Sequence, residues 1–193
     1  VPAPAAIPAT PLTILLPQAY DGWPRTIMAV VEDDSDKSAH IMYVTQQDAW
    51  ADYKLTYMGS LGASVEMPEL APAYVGASQV QPDSSFLLLA PDQLAAAYAD
   101  VIDNGSASVF SSLFEDEGDD FLTNVTGDRE TRLAEFNSTA STTATTATLT
   151  FETLPGSQGE VALATLESGA IVAVNIYESD TVVPTTSDAV IKL

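Results

Sequence analysis

No cysteine occurs in the 193 residues, which removes disulfides, thiolate nucleophiles, iron–sulfur clusters and thiolate zinc sites together. Histidine occurs once, as His40 at the start of a strand-like run, so histidine joins a metal site only as one ring beside carboxylates. No G-x-S-x-G elbow is present, and His40 is expected to be a structural or surface residue. Gly59 and Gly62 in "GSLGAS" fit neither dinucleotide nor P-loop spacing and are expected to mark a turn. No apolar run approaches the roughly 18 residues of a spanning helix. The longest, around residues 27–31 and 86–90, are strand-sized, so direct membrane insertion is not expected. Basic residues are scarce, 6 against 27 acidic ones, for a formal charge of -21. A field of that sign repels phosphate backbones and anionic headgroups, which argues against nucleic acid and leaves cations and basic partners.

What is present suffices for a folded domain. With 46% apolar residues the chain can bury a core of one ordinary domain, or at most of two small halves. Residues 1–11, "VPAPAAIPATP", read as a stiff Pro/Ala tether, and residues 12–193 as a single domain. The final run, "DAVIKL", reads as a strand that stops at Leu193, as if cut from something longer. Richness in alanine and threonine with few lysines suits an exported protein of a high-GC bacterium, its signal or anchor removed.

Periodicity divides the domain. "RTIMAVVE", "AHIMYVTQQ" and "YKLTYM" are strand-like, the last with Tyr53, Leu55 and Tyr57 on one face. Short connections between them, including the acidic turn "EDDSDKS", predict an antiparallel meander. Residues 59–83, with Pro68, Pro72 and Pro82, predict a long irregular excursion, followed by a strand-sized run at 86–89. In "APDQLAAAYADVIDNG" the period becomes helical, with Leu94, Tyr98, Val101 and Ile102 on one face. Pro91 suits the first turn of that helix and Asn104-Gly105 its stop. A second helix is expected between residues 106 and 137, broken by "EDEGDD", with Arg129, Leu133 and Phe136 at helical spacing. The threonine tract from Thr139 reads mostly as strand, leading to "TATLTFETL", "EVALATLE" and "AIVAVNIYE". The last two make a hairpin through residues 167–170, with Gly169 expected to supply a positive φ. Strands, then helices, then strands predict an α+β fold: a curved antiparallel sheet packed on helices, cystatin-like or NTF2-like.

Two kinds of site are expected. Tyr20, Trp23 and Arg25 in "AYDGWPRT", with Tyr74 in the irregular excursion, would offer stacking faces and a guanidinium to a partner; capping the open end of the sheet competes with that role. Glu32, Asp33, Asp34 and Asp36, and Glu115, Asp116, Glu117, Asp119 and Asp120, concentrate hard oxygen ligands of the kind that suit Ca²⁺. Neither cluster has EF-hand spacing, and a solvated acidic loop is the competing interpretation. No other cofactor is expected.

The stretches "WPRTIMAVVE", "APDQLAAAYADVIDNG" and "ESGAIVAVNIYESDTVVP" together resemble an uncharacterised family of actinobacterial envelope proteins, exported or membrane-anchored. The resemblance spans the chain from about Leu12 and implies an extracellular module, with no activity attached. Where that family has a second aromatic after Pro-Arg, this chain has Thr26 and Ile27. The function expected is a non-catalytic envelope module, a secreted or lipoprotein-like chain that contacts a protein or wall component. The alternative is a small-ligand or Ca²⁺-binding protein with a cavity in the curved sheet, where Tyr43, Tyr53 and Tyr57 would converge.

Overall fold

The computed structural model describes residues 9–18, 22–62, 65–115, 117–143 and 147–185. Four strands come first: β1 (Ala9–Leu15), β2 (Arg25–Asp33), β3 (Ala39–Gln46) and β4 (Lys54–Leu61). Helices α1 (Pro91–Asn104) and α2 (Asp120–Thr143) follow, then β5 (Ala147–Pro155), β6 (Val161–Ala164), β7 (Ala170–Ala173) and β8 (Ile176–Pro184). The fold is α+β. It divides into two compact units, each built from two stretches of chain: Val1–Asp92 with Gly159–Val174, and Gln93–Gln158 with Asn175–Leu193.

In the first unit β1 to β4 form an antiparallel sheet in chain order, so the expected meander gains a strand at its leading edge. β1 starts at Ala9, inside the stretch assigned to the tether, and a register shift between Pro11 and Thr13 accommodates the proline. An edge strand tolerates Pro because one row of its N–H groups has no partner strand to serve. Alternation along β2 buries Thr26, Met28 and Val30, which oppose Thr45, Tyr43 and Ile41 of β3. A second register shift, after Tyr43, interrupts the alternation expected of β4. Tyr57 packs on the core, whereas Tyr53 and Leu55 are exposed, so the three do not share one buried face. The buried threonines are satisfied sideways: Thr26 Oγ lies 2.8 Å from Thr45 Oγ, which lies 3.2 Å from Thr56 Oγ, which donates to the Tyr43 carbonyl at 3.0 Å.

The core of this unit joins Leu15, Met28, Val30, Tyr43, Ala71, Ala77 and Leu163, so strands, the irregular excursion and the β6–β7 hairpin meet in one cluster. The excursion is tied in at both sides. Ala77 donates to Leu16 at 2.7 Å, Val80 to Ala162 at 2.9 Å, and Leu166 to Glu69 at 3.0 Å. Gly76 is required there: its φ is +76°, and a Cβ would stand 3.1 Å from the carbonyl oxygens of Leu16 and Pro17. The excursion runs on to Ala90, because residues 86–89 are not a strand; Phe86 is 97% exposed. Apolarity alone predicted that strand, but among the described residues no strand pairs with the segment. In the hairpin Ser168, not Gly169, has the positive φ, and Gly169 instead donates to Thr165 Oγ at 3.2 Å.

In the second unit α1 ends as expected, with Gly105 at φ +53° just past Asn104, and Val101 and Ile102 are buried. α2 extends through Thr143, so the first part of the threonine tract is helix. A helix already nucleated upstream propagates through residues of weak propensity, which overrides their β preference. Against α2 lies the ribbon of β5 and β8, paired without a register shift from Ala147↔Pro184 to Pro155↔Ile176. Among the described residues no helix is long and apolar enough to cross a membrane.

Candidate functional site

The second unit holds the densest polar constellation of the described residues, and α2 supplies its centre. Asp119 caps the helix, its Oδ1 accepting from the Leu122 N–H at 2.9 Å while Oδ2 accepts from the Tyr98 hydroxyl at 2.6 Å. Burial, and then the neighbouring Asp119 carboxylate, push the Tyr98 hydroxyl well above its ordinary value, so it stays protonated. Tyr98 also packs against Phe114 and Phe121, with ring centres 5.2 and 6.2 Å away. One residue of α1 thus fixes where α2 begins.

Arg129 and Arg132 stand three residues apart on α2 and reach the ribbon. Alternation on β5 presents Phe151 and Thr153 on one face; on β8 it presents Ile176, Glu178 and Asp180. Both guanidiniums lie over the Phe151 ring, at 5.6 Å for Arg129 and 4.6 Å for Arg132. Glu178 bridges them, one carboxylate oxygen to Arg129 Nε and the other to Arg132 Nη2. Arg129 further donates to Asp103 at 2.9 Å and to Thr153 Oγ at 2.6 Å. Asp103 accepts twice from Thr153, from its hydroxyl at 2.7 Å and its N–H at 2.8 Å. Arg132 donates to Asp180 at 2.5 Å, and Asp128 lies 2.7 Å from its Nε, off the N–H axis, so that the contact is an ion pair without a hydrogen bond.

These pairings fix the charges. Burial works against ionised Glu178, but the Arg132 and Arg129 guanidiniums outweigh it and hold the carboxyl below the usual glutamate range. Burial likewise opposes charge on Arg129, and Glu178 and Asp103 more than offset it. Glu178, with Asp180, holds Arg132 protonated.

Beside this network opens a cleft of about 310 Å³. Ile102, Phe121, Val125, Ile176 and Tyr177 make its apolar lining, and Asn124, Asp128, Arg132, Thr153 and Glu178 its polar part. Such a volume lies at the small end for ligand sites and admits a side chain rather than a dinucleotide.

The residues singled out by sequence fall elsewhere. Trp23 and Arg25 come together, the guanidinium 4.5 Å from the Trp23 ring centre and its Nε donating to the Gly22 carbonyl at 3.1 Å. Trp23 remains 40% exposed, Tyr74 stands in a separate turn closed by Val75 N–H to Pro72, and Tyr20 lies outside the described residues. In the first acidic run Asp33 and Asp36 each accept from the N–H and hydroxyl of a serine two residues on, Ser35 and Ser38, which lowers both carboxyls. Lys37 pairs with Glu32 at 3.1 Å and Asp34 at 3.7 Å. In the second run Asp119 is the helix cap, Asp120 opens α2, Glu115 and Glu117 are exposed, and Asp116 lies outside the described residues. Among the described residues no three Asp, Glu or His side chains converge on a metal position. His40 shares a hydrogen bond of 2.9 Å with Ser38 Oγ.

Helical spacing places Arg129 on α2 but does not connect it with Arg132, Asp103 or Glu178. The available signal was scarcity. In a chain with three arginines, two placed three apart on one helix demand an explanation, whereas carboxylates are too common to point anywhere.

Comparison with known families matches residues 3–192 to a domain of unknown function, DUF8094. No curated protein and no solved structure matches the chain.

Proposed function

Because the chain belongs to the DUF8094 family, whose function is unknown, we propose a role from its own geometry: a non-catalytic binding module of the cell envelope. In this proposal it engages a protein or wall component through the cleft of its second unit. One observation carries the proposal. The cleft joins an apolar lining to a polar edge whose Glu178 and Arg132 are locked into their charged forms, with Arg129 on the other oxygen of Glu178 beside it. General acid–base work needs a group that exchanges its proton near the working pH, and fixed charges do not. Fixed charges around an apolar floor orient a bound group instead. Export from an actinobacterial cell is part of this reading and is supported by the composition, rich in alanine and threonine with few lysines.

Asn124 is exposed at the cleft, so Asn124→Trp fills the opening without touching the core. Immobilised native chain is expected to retain a discrete component from an envelope fraction of its source cells, and Asn124→Trp to lose it while keeping the native melting temperature. Equal retention by both chains would refute the cleft as the contact.

A second interpretation, a small-ligand protein, rests on the first unit. Tyr43 is 3% exposed, its hydroxyl has no hydrogen-bond partner among the described residues, and an opening of about 280 Å³ lies beside it where Gly59 contributes no side chain. Tyr57 meets Tyr43 edge to face at 6.2 Å, but Tyr53 is exposed and does not join them. Gly59→Val should abolish binding of an apolar dye there; unchanged binding would remove this interpretation.

A further inference from the structure

We propose that the cleft of the second unit takes the side chain of a lysine from a partner protein, its stem on the apolar lining and its ammonium against Asp128 at the cleft edge and Asp180, the partner of Arg132 outside the lining. The inference rests on the cleft being the binding site and adds what it binds. Charge complementarity decides the chemistry. Asp128, Glu178 and Arg132 line the cleft, and Asp103, Asp180 and Arg129 complete the ion-pair network beside it, so four carboxylates face two guanidiniums and leave a local charge of -2 within a chain of formal charge -21.

An anion is poorly served there. Each of the three guanidinium nitrogens of Arg132 already has a carboxylate within ion-pair distance, so an incoming acid would add to anions that surround it. A cation meets no such obstacle. The side chains of Asp128 and Asp180 are 64% and 44% exposed, and a carboxylate that faces one donor keeps lone pairs for another. A bare divalent ion is disfavoured, because it needs six or more converging oxygens. An ammonium needs only two or three acceptors, and its four-carbon stem is the part that an apolar cleft covers. A cleft of about 310 Å³ has room for such a side chain.

The test compares three probes on the full chain by amide chemical shifts: the Nα-acetyl methylamides of lysine, norleucine and glutamate. Lysine and norleucine share the stem and differ in the ammonium. Saturable shifts at Val125, Asp128 and Tyr177 are expected with the lysine probe, at about fivefold higher affinity than with norleucine, as exposed ion pairs allow. Asp128→Asn should bring the two together, and added salt should do the same. If norleucine or glutamate binds as tightly as lysine, the charge preference is wrong and the cleft survives as an apolar site. If none of the three probes shifts those amides, the cleft itself is not the site, and both proposals fall.

Discussion

Replacing Arg129 by methionine is expected to destabilise the protein by about 3 kcal/mol, the lower end of the cost of breaking a buried ion pair. Methionine keeps a stem over Phe151 but removes the only guanidinium shared by Glu178, Asp103 and Thr153. The Arg129 side chain is 12% exposed, so its former partners gain little water in return. Glu178 retains Arg132, and Asp103 retains Thr153, which is why the loss stays near the lower bound. The loss should also depend on pH. The Glu178 carboxyl is depressed below its ordinary 4.5 in the folded protein. The stability it contributes is therefore complete above that value and disappears as pH falls toward the folded value. Denaturant midpoints of native and Arg129→Met chains should accordingly converge in acid. A constant gap from neutral pH to pH about 3, or a gap below about 1 kcal/mol at neutrality, would show that the network does not hold the unit together.

A comparable loss, about 3 kcal/mol, is expected for Leu163→Ala in the first unit. Leu163 is 1% exposed and reaches from the β6–β7 hairpin into the cluster of Leu15, Met28, Val30 and Tyr43. Truncation leaves a cavity whose walls are strand and excursion together, and both are hydrogen-bonded too closely to collapse into it. Leu166→Ala, three residues on and 58% exposed, is the control and should stay within about 0.5 kcal/mol of native. Equal effects of the two would mean that the hairpin is not part of this core.

Local patterns in the sequence read well wherever one periodicity acted alone. The β2–β3–β4 meander, α1 with its Pro91 start and Gly105 stop, and strands β5 and β6 follow from alternation, helical spacing and turn chemistry, whereas the single strand expected over "AIVAVNIYE" is broken at residues 174–175 into β7 and β8, which pair in different sheets. Errors arose where a nonlocal partner decided. Residues 86–89 have the composition of a strand and, among the described residues, no strand to pair with, whereas β1 has Pro11 in its middle and pairs with β2 across a bulge. Ser168 takes the positive φ beside a glycine that was free to take it; nothing in the structure explains that choice.

The candidate site was the least legible part, for a physical reason. Arg129, Asp103, Thr153 and Glu178 are brought together by a helix, a second helix and two strands up to 75 positions apart, and ion pairs at such separations leave no mark on periodicity. The charge imbalance announced that guanidiniums would be sought after, but not by which of 27 acidic residues. Asp33 and Asp36, conspicuous in the sequence, are occupied by serines two residues away. Trp23 and Arg25, equally conspicuous, stack on each other at the start of β2.

The most direct measurement of the cleft's role is site-specific photo-crosslinking in envelope preparations of the source cells. A benzophenone amino acid is placed at Tyr177, which is half exposed in the cleft lining, and in a separate chain at Trp50, which is exposed in the first unit. A discrete adduct from the Tyr177 position, suppressed by Asn124→Trp and missing from the Trp50 position, is expected. The same adducts from both positions, or none from Tyr177, would contradict a binding role for the cleft.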